Sequence, residues 1–530
     1  MGKYFNPGNS GFQEIINTTY VDKTGLISLI NKSINTKDKL TCISRPRRFG
    51  KSYAAQMLSA YYDCSCDSSE LFEGLKISRL DGYRNHLNKY NVIYLDITGF
   101  ISELKSKNQS IDDITVEMKN QINNELCQRL EQLDSNDELT NNLLKFVEIE
   151  NCKFVFIIDE WDALVREAKE NERVQESYFN FLRSLFKNGN FTPKVVAAAY
   201  MTGILPIKKY GHQSAISDFK EYTMTLPAHY AEYVGFTNED ISTIVDDKYT
   251  IEKLKKWYDG YYFKNVGEIY NPNSVMEAIK TGEYASFWSK SETYEALLDY
   301  INSDADGLKT DLIQMLGGNE MEVDISTFQN DMVSVQTRND ILSLLIHLGY
   351  LAYNSETRTV RIPNEEIRQE FISTIRNGRH DVTNKIIANS DKLIQDVIDG
   401  NETEVAAAIQ EAHDAGTFGA APLFYNDEQA LRAVVKFAFI SCANEYLKFE
   451  ELPSGHGYAD LVYIPKPKSI LPPLLIELKI DEVDTAAIKQ IKEKNHPKVL
   501  ENIGSEIVLC GITYNSKSKQ HSCKIEKYRA

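Results

Sequence analysis

A short apolar run, Leu40-Thr41-Cys42-Ile43, leads into Ser44-Arg45-Pro46-Arg47-Arg48-Phe49-Gly50-Lys51-Ser52, and the chain leaves that stretch through Tyr53 to Tyr62 with helical spacing. Strand, glycine-bearing loop and helix in this order constrain the fold more than any other feature of the chain. With further strands alternating with helical segments downstream, they imply a parallel sheet with helices on both faces. The loop itself is a phosphate-loop candidate. In such a unit Gly50 lets the backbone approach phosphates, Lys51 reaches the β- and γ-phosphates, Ser52 holds Mg²⁺, and the helix N-terminus supplies N–H donors. Arg45 stands where the first glycine of G-x-x-x-x-G-K-[ST] belongs, and an ordinary strand-to-helix turn shares the local pattern.

A second element narrows the reading. Phe154-Val155-Phe156-Ile157-Ile158-Asp159-Glu160 is an apolar run of the buried parallel-strand type, ending in two acids. At the end of a strand beside a phosphate loop, Asp159 can bind Mg²⁺ through water, and Glu160 can orient and deprotonate an attacking water. The alternative is a core strand with a solvated acidic end. Pro193 to Thr202 reads as the next strand, and Thr202 falls where a residue sensing a γ-phosphate belongs. Asn91 to Ile97 is another buried strand, with Asp96 able to face the site. Residues 111–148 read as a polar surface helix pair, and 173–187 as a helix with Tyr178, Phe179, Leu182, Leu185 and Phe186 on its apolar face. Arg183, on that helix, is either a charge finger or a solvated surface residue.

The motifs Tyr20-Val21-Asp22-Lys23-Thr24, Arg45 to Ser52, Ile158-Asp159-Glu160-Trp161-Asp162 and Thr202-Gly203-Ile204-Leu205-Pro206-Ile207 resemble those of bacterial AAA-ATPase-like proteins with a C-terminal PD-(D/E)XK nuclease-type domain. The resemblance spans nearly the whole chain. It implies that the RPRRFGK[ST] loop is typical and that Arg48, Phe49, Gly50, Lys51, Ser52, Asp159 and Thr202 bind nucleotide. It places Tyr20, Asp22 and Lys23 either near base or ribose or in a packed lead-in to the site. Trp161 departs from the usual tyrosine. The expected layout is an AAA-ATPase-like P-loop domain over 1–227, a helical lid over 228–300, a winged-helix-like linker over 301–385 and a PD-(D/E)XK nuclease-like α/β domain over 386–530. The lid aromatics around Trp257 to Tyr262 read as core. The helix before the Tyr350–Asn364 hairpin is apolar through Leu342, Leu345, Ile346 and Leu348, as a structural linker requires.

The second constellation lies near the C-terminus. Asp460 stands in Gly457 to Ile464, a strand candidate, and Glu477 and Lys479 share one face of Leu474 to Ile480 because side chains alternate along a strand. This D…E-x-K spacing suits metal-assisted phosphodiester hydrolysis: Asp460 and Glu477 as hard oxygen ligands for Mg²⁺ or Mn²⁺, Lys479 positioning water and offsetting charge on phosphate. Glu428, in the first turn of a preceding helix, can complete the acidic shell. Two exposed edge strands would carry the same letters. The resemblance adds Gln490 and Lys494 from the following helix, and it puts His496 where tyrosine is usual, leaving a phosphate contact there in doubt.

Composition limits the remaining choices. Of 530 residues, 42% are hydrophobic, enough for several cores, and the eight cysteines lack zinc spacing, as reduced thiols in a cytoplasm would. No signal-peptide pattern or membrane-spanning run is present, so no membrane partner is expected. A net charge of −17 argues against a surface coated with nucleic acid, yet residues 465–530 hold twelve Lys or Arg against eight Asp or Glu, either a local basic groove or a lysine-rich solvated face. The resulting expectation is a cytoplasmic ATP-binding hydrolase in which Mg-ATP regulates a Mg²⁺- or Mn²⁺-dependent nuclease acting on nucleic acid, DNA first, in defence or mobile-element processing. The alternatives are a nucleotide-controlled binding switch without cleavage and an ATPase with a vestigial tail. A homo-oligomer is left open, as is the identity of any arginine finger.

Overall fold

The computed structural model describes the chain except residues 1, 208–215, 289–307, 327, 329–334, 336, 378–380, 417–427, 440–441, 443–445, 467–468, 502, 504–505 and 530, and except the side chains at 309–310, 313, 374–377, 381–388, 391, 415–416, 428–430 and 433. It divides into two compact units, one of residues 1–288 with 322–366, the other of 289–321 with 367–530.

The first unit is built on five parallel strands: β1 (Leu40–Ser44), β2 (Asn91–Asp96), β3 (Phe154–Asp159), β4 (Val196–Gly203) and β5 (Lys220–Tyr222). Their order is β2-β3-β4-β1-β5. β1, β3 and β4 are buried along their whole length, which their apolar, β-branched composition permits, because helices cover both faces of the sheet. Helix α1 (Lys51–Tyr62) follows β1 directly and packs on β3 and β4. The register Ile158↔Met201 and Ile43↔Thr202 brings the C-terminal ends of β1, β3 and β4 side by side. The helices Ile114–Arg129 and Leu139–Glu150 form the expected pair, although they bury Met118, Ile122, Leu126, Leu143 and Phe146 in the main core. The strand read from Pro193 starts only at Val196; Pro193 sits in the first turn of a short helix, Thr192–Val195, where its missing N–H costs nothing.

The stretch expected to form a helical lid holds helices Asn238–Ile244, Lys248–Tyr258 and Pro272–Thr281 and, unforeseen, a three-stranded antiparallel sheet of β6 (Phe236–Thr237), β7 (Tyr261–Phe263) and β8 (Gly267–Tyr270). Tyr258, Tyr261 and Tyr270 are buried, as core aromatics. In the stretch expected to be a winged-helix-like linker, helix Arg338–Leu348, buried from Ile341 onward, precedes a hairpin of β9 (Ala352–Asn354) and β10 (Thr359–Arg361).

In the second unit, helices α2 (Asp381–Asp399), α3 (Glu402–Gly416) and α4 (Glu428–Ala438) accompany a mixed sheet ordered β11 (Tyr446–Ser454), β12 (Gly457–Pro465), β13 (Leu474–Ile480), β14 (Glu506–Asn515), β15 (Gln520–Arg529). Only β13 and β14 pair in parallel. Their crossover is helix α5 (Ala486–Glu493), which approaches so closely that a Cβ on Gly511 would lie 2.8 Å from that of Ala487. That approach brings Gln490 down onto β13.

Candidate active sites

The phosphate loop turns into α1 through Arg48 (φ +68°) and Gly50 (φ +89°), and a Cβ at Gly50 would meet open space. The loop is therefore a cradle with room above the N-terminus of α1. Lys51 is almost wholly buried; its Nζ donates to Pro46 O at 3.0 Å and lies 3.3 Å from Glu160 Oε1. Glu160 adopts the left-handed region (φ +53°), uncommon for a non-glycine residue and frequent at functional sites. Its Oε2 accepts from Arg166 Nη2 at 3.0 Å, and Arg166 Nε donates to Asp162 at 3.1 Å. Burial pushes the Glu160 carboxyl up, but Lys51 and Arg166 outweigh it and hold the group below its ordinary value.

Asp159 is buried at the end of β3. Thr202 Oγ1 donates to it, and the same oxygen accepts from Glu160 N at 3.2 Å, so one hydroxyl on β4 fixes both acids of β3. Ser52 and Tyr94 also bond to Asp159, and burial pushes its carboxyl upward. Lys51, Ser52, Asp159, Glu160 and Thr202 are thus brought together. Hard carboxylate and hydroxyl oxygens beside an open, N–H-lined cradle fit a magnesium nucleotide.

The side chains of the other residues named from the sequence have partners of their own. Phe49 is fully buried, edge-on to Tyr261 at 5.3 Å, so only its backbone N–H is available to a nucleotide. Arg48 Nη1 donates to Phe287 O. Arg45 is fully buried, donates to Ser44 O at 3.0 Å and Tyr222 O at 3.2 Å, and its guanidinium lies 5.1 Å from the Phe263 ring centre. Burial pushes it down to about 10. Asp96 is paired in register with Asp159 at the end of β2 and caps helix Ile97–Ser106, accepting from Gly99 N at 3.0 Å. Lys23 pairs with Asp240, Asp22 accepts from Thr24 and Lys76, and Tyr20 packs edge-on to Phe12, which makes this segment a packed lead-in. Arg183 is on an exposed helix face with Asn180. Trp161 is sealed in the core, its carbonyl accepting from Tyr178 OH at 3.0 Å.

In the second unit, Asp460 on β12 and Glu477 on β13 come together. Asp460 Oδ2 accepts from Leu478 N at 2.8 Å, and Oδ1 accepts from Arg432 Nη2 at 3.2 Å. Glu477 is almost completely buried; Gln490 Nε2 donates to its Oε1, Lys479 Nζ stands 3.8 Å from that oxygen, and Oε2 has no hydrogen-bond partner. Burial, then the neighbouring Asp460, push the Glu477 carboxyl up to about 8, opposed by Lys479 and Lys494. A buried carboxylate oxygen without a donor, facing a second carboxylate, fits a divalent cation. Glu428 opens α4, while its side chain and Asp427 lie outside the described residues. His496 is buried with Nδ1 2.7 Å from Ser454 Oγ, so it braces the β11–β12 turn. Among the described residues no group of three His, Cys, Asp or Glu forms a preassembled metal cluster.

Two arginines escaped notice in the sequence. Arg166 follows Asp162 by four residues, and Arg432 follows Glu428 by four; that spacing puts each pair on one helix face and was the available signal.

Residues 7–212 match the family model described as a predicted AAA-ATPase, and residues 426–523 match that of the PD-(D/E)XK nuclease superfamily. Among solved structures, the chain is similar to the Aeropyrum Pernix ORC2 protein in its ADPNP-ADP complexes, at 9% identity and a TM-score of 0.32, over 68% of this chain and 97% of that one. No curated protein matches. No helix among the described residues is long and apolar enough to cross a membrane. On these matches the chain joins an AAA-ATPase-like region, residues 7–212, to a C-terminal region of the PD-(D/E)XK nuclease superfamily, residues 426–523.

Proposed function

We propose that this chain binds and hydrolyses ATP in its first unit and, under control of that cycle, cleaves phosphodiester bonds of nucleic acid, DNA first, in its second. The observation that carries the reading is the Asp460–Glu477 pair with Lys479 and Gln490 on it, on the same chain as the Lys51–Glu160–Asp159–Thr202 constellation. In the first unit Ser52 and Asp159 would hold Mg²⁺, and Arg48 to Lys51 would line the phosphates with backbone N–H groups. Lys51 leaves Pro46 O and Glu160 for the β- and γ-phosphates, and Glu160, released on one oxygen, orients water and takes its proton. Thr202 keeps the two acids in register.

In the second unit Asp460 and Glu477 would hold Mg²⁺ or Mn²⁺, which supplies Lewis acidity toward phosphate and lowers the pKa of a bound water. Lys479 positions the water and offsets charge building on the phosphate, Gln490 fixes the Glu477 carboxyl, and Glu428 is assigned to the same acidic shell. The division into P-loop, lid, linker and nuclease-like domains at 227, 300 and 385 belongs to this reading, as do a cytoplasmic setting and a role against foreign or mobile DNA. The test is cleavage of single- and double-stranded DNA and RNA with Mg²⁺ or Mn²⁺, with and without ATP, beside Glu477→Ala. Cleavage lost in the variant and altered by ATP supports the coupled nuclease. No cleavage under any condition leaves a nucleotide-controlled binding switch as the better account.

A further inference from the structure

The acid pair of the second unit carries a counter-ion. Arg432 projects from α4 with its side chain mostly buried, and its guanidinium spans two carboxylates, Nη1 to Glu451 Oε1 at 2.7 Å and Nη2 to Asp460 Oδ1 at 3.2 Å. The other Asp460 oxygen is already committed to Leu478 N. Both oxygens of Asp460 are therefore engaged, whereas Glu477 keeps Oε2 without a partner. The backbone N–H of Leu478 cannot leave Oδ2 without disturbing β13, whereas the Arg432 side chain can leave Oδ1, so Oδ1 is the Asp460 oxygen that can be freed for a cation shared with Glu477. Glu451 differs from Asp460 in being largely exposed, so the second anchor of the guanidinium faces solvent.

We propose that Arg432 is an exchangeable counter-ion: it holds Asp460 in the metal-free protein, yields Oδ1 when a divalent ion is taken up, and then, pivoting on Glu451, binds a non-bridging oxygen of the nucleic-acid phosphate. The proposal rests on the nuclease reading above. Its chemistry is that of a planar guanidinium, whose paired N–H donors suit carboxylate and phosphate alike, so the same group can serve either partner without rebuilding the site. Metal uptake and phosphate binding become linked through one side chain. Arg432 is a positioning residue in the first state and a substrate contact in the second.

The experiment is calorimetric titration of the full chain with Mn²⁺, without nucleotide, for the wild type, Arg432→Gln, Arg432→Lys and Glu477→Gln, each in an Asp159→Asn background so that the cation site assigned to the first unit does not contribute. The expected result is Mn²⁺ binding by the wild type that is lost in Glu477→Gln, about tenfold tighter in Arg432→Gln because the competing ion pair is gone, and intermediate in Arg432→Lys. Duplex DNA binding, measured in Ca²⁺ and in EDTA, should fall about tenfold in Arg432→Gln in Ca²⁺ alone. Unchanged or weaker Mn²⁺ binding in both Arg432 variants overturns the counter-ion role while leaving the metal site standing. Equal loss of DNA binding with and without Ca²⁺, or no metal-dependent DNA binding by the wild type, overturns the phosphate contact. Absence of Mn²⁺ binding in the wild type, or binding that survives Glu477→Gln, sinks the metal-site reading and this proposal with it.

Discussion

Arg45 occupies the place of the first glycine of a phosphate loop, yet it is a core residue. Its guanidinium feeds two backbone carbonyls and rests on Phe263, and it adds to the burial that pushes His347 down to about 3, so that this imidazole stays neutral. Restoring the consensus by Arg45→Gly should therefore harm the protein. We expect a loss of about 3 kcal/mol, from the cavity and the unpaired carbonyls, read as a lower midpoint in denaturant. Glu160→Gln should behave differently, keeping ATP binding while slowing hydrolysis by at least about a hundredfold, as measured by phosphate release beside equilibrium binding of a fluorescent ATP analogue. Glu477 links stability to pH. Its carboxyl is raised from 4.5 to about 8, so the neutral form is favoured by the fold, and the contribution is fully present below pH 4.5 and fades as pH rises through 8. Metal-free protein should lose stability across that window and Glu477→Gln should not, whereas divalent-ion affinity should climb over the same range because binding expels a proton. Thermal midpoints in EDTA at a series of pH values, paired for the two proteins, would decide it.

At the scale of elements, the phosphate loop is held from outside the sheet. Gly349 ends helix Arg338–Leu348 in the left-handed region (φ +86°), its carbonyl accepts from Tyr261 OH at 2.6 Å, and a Cβ there would lie 2.7 Å from that of Pro46. Gly349→Ala should cost about 1–3 kcal/mol and weaken ATP binding, because Pro46 must yield to the new methyl. An unchanged ATP affinity in that variant would show that the loop does not feel its support. This support was illegible in the sequence, since nothing local says that residue 349 meets residue 46. What was legible followed from periodicity and polarity: the buried strands around Ile158 and Ile476, the helix after Ser52, and the acids that end or interrupt apolar runs. Pairing of Glu477 with Lys479 followed from alternation along one strand. Two kinds of feature were missed. One is short elements stabilised by tertiary partners, such as β5 and the three lid strands, whose two to four residues carry no period. The other is the cations that pair with the acids assigned to the two sites, Arg166 and Arg432, which look like any solvated helix residue until the fold aims them inward. Asp96 carried a second role that its place at a strand end did not announce, that of a helix cap.

For the whole molecule, the proposed coupling makes a plain demand: Lys51→Ala should abolish ATP hydrolysis and also remove the effect of ATP on cleavage, leaving the nucleotide-free cleavage rate as it is. A cleavage assay run with and without ATP on that variant checks it, and an ATP effect that persists would separate the two activities. The division into two units has an optical consequence as well. All three tryptophans, Trp161, Trp257 and Trp288, belong to the first unit, and Trp161 is sealed beneath the very residues assigned to nucleotide chemistry. Selective excitation of indole therefore illuminates one half of the chain and leaves the other dark. Melting followed by tryptophan emission reports the nucleotide-binding half alone, while far-ultraviolet dichroism reports both, so any gap between the two curves measures how independently the halves come apart.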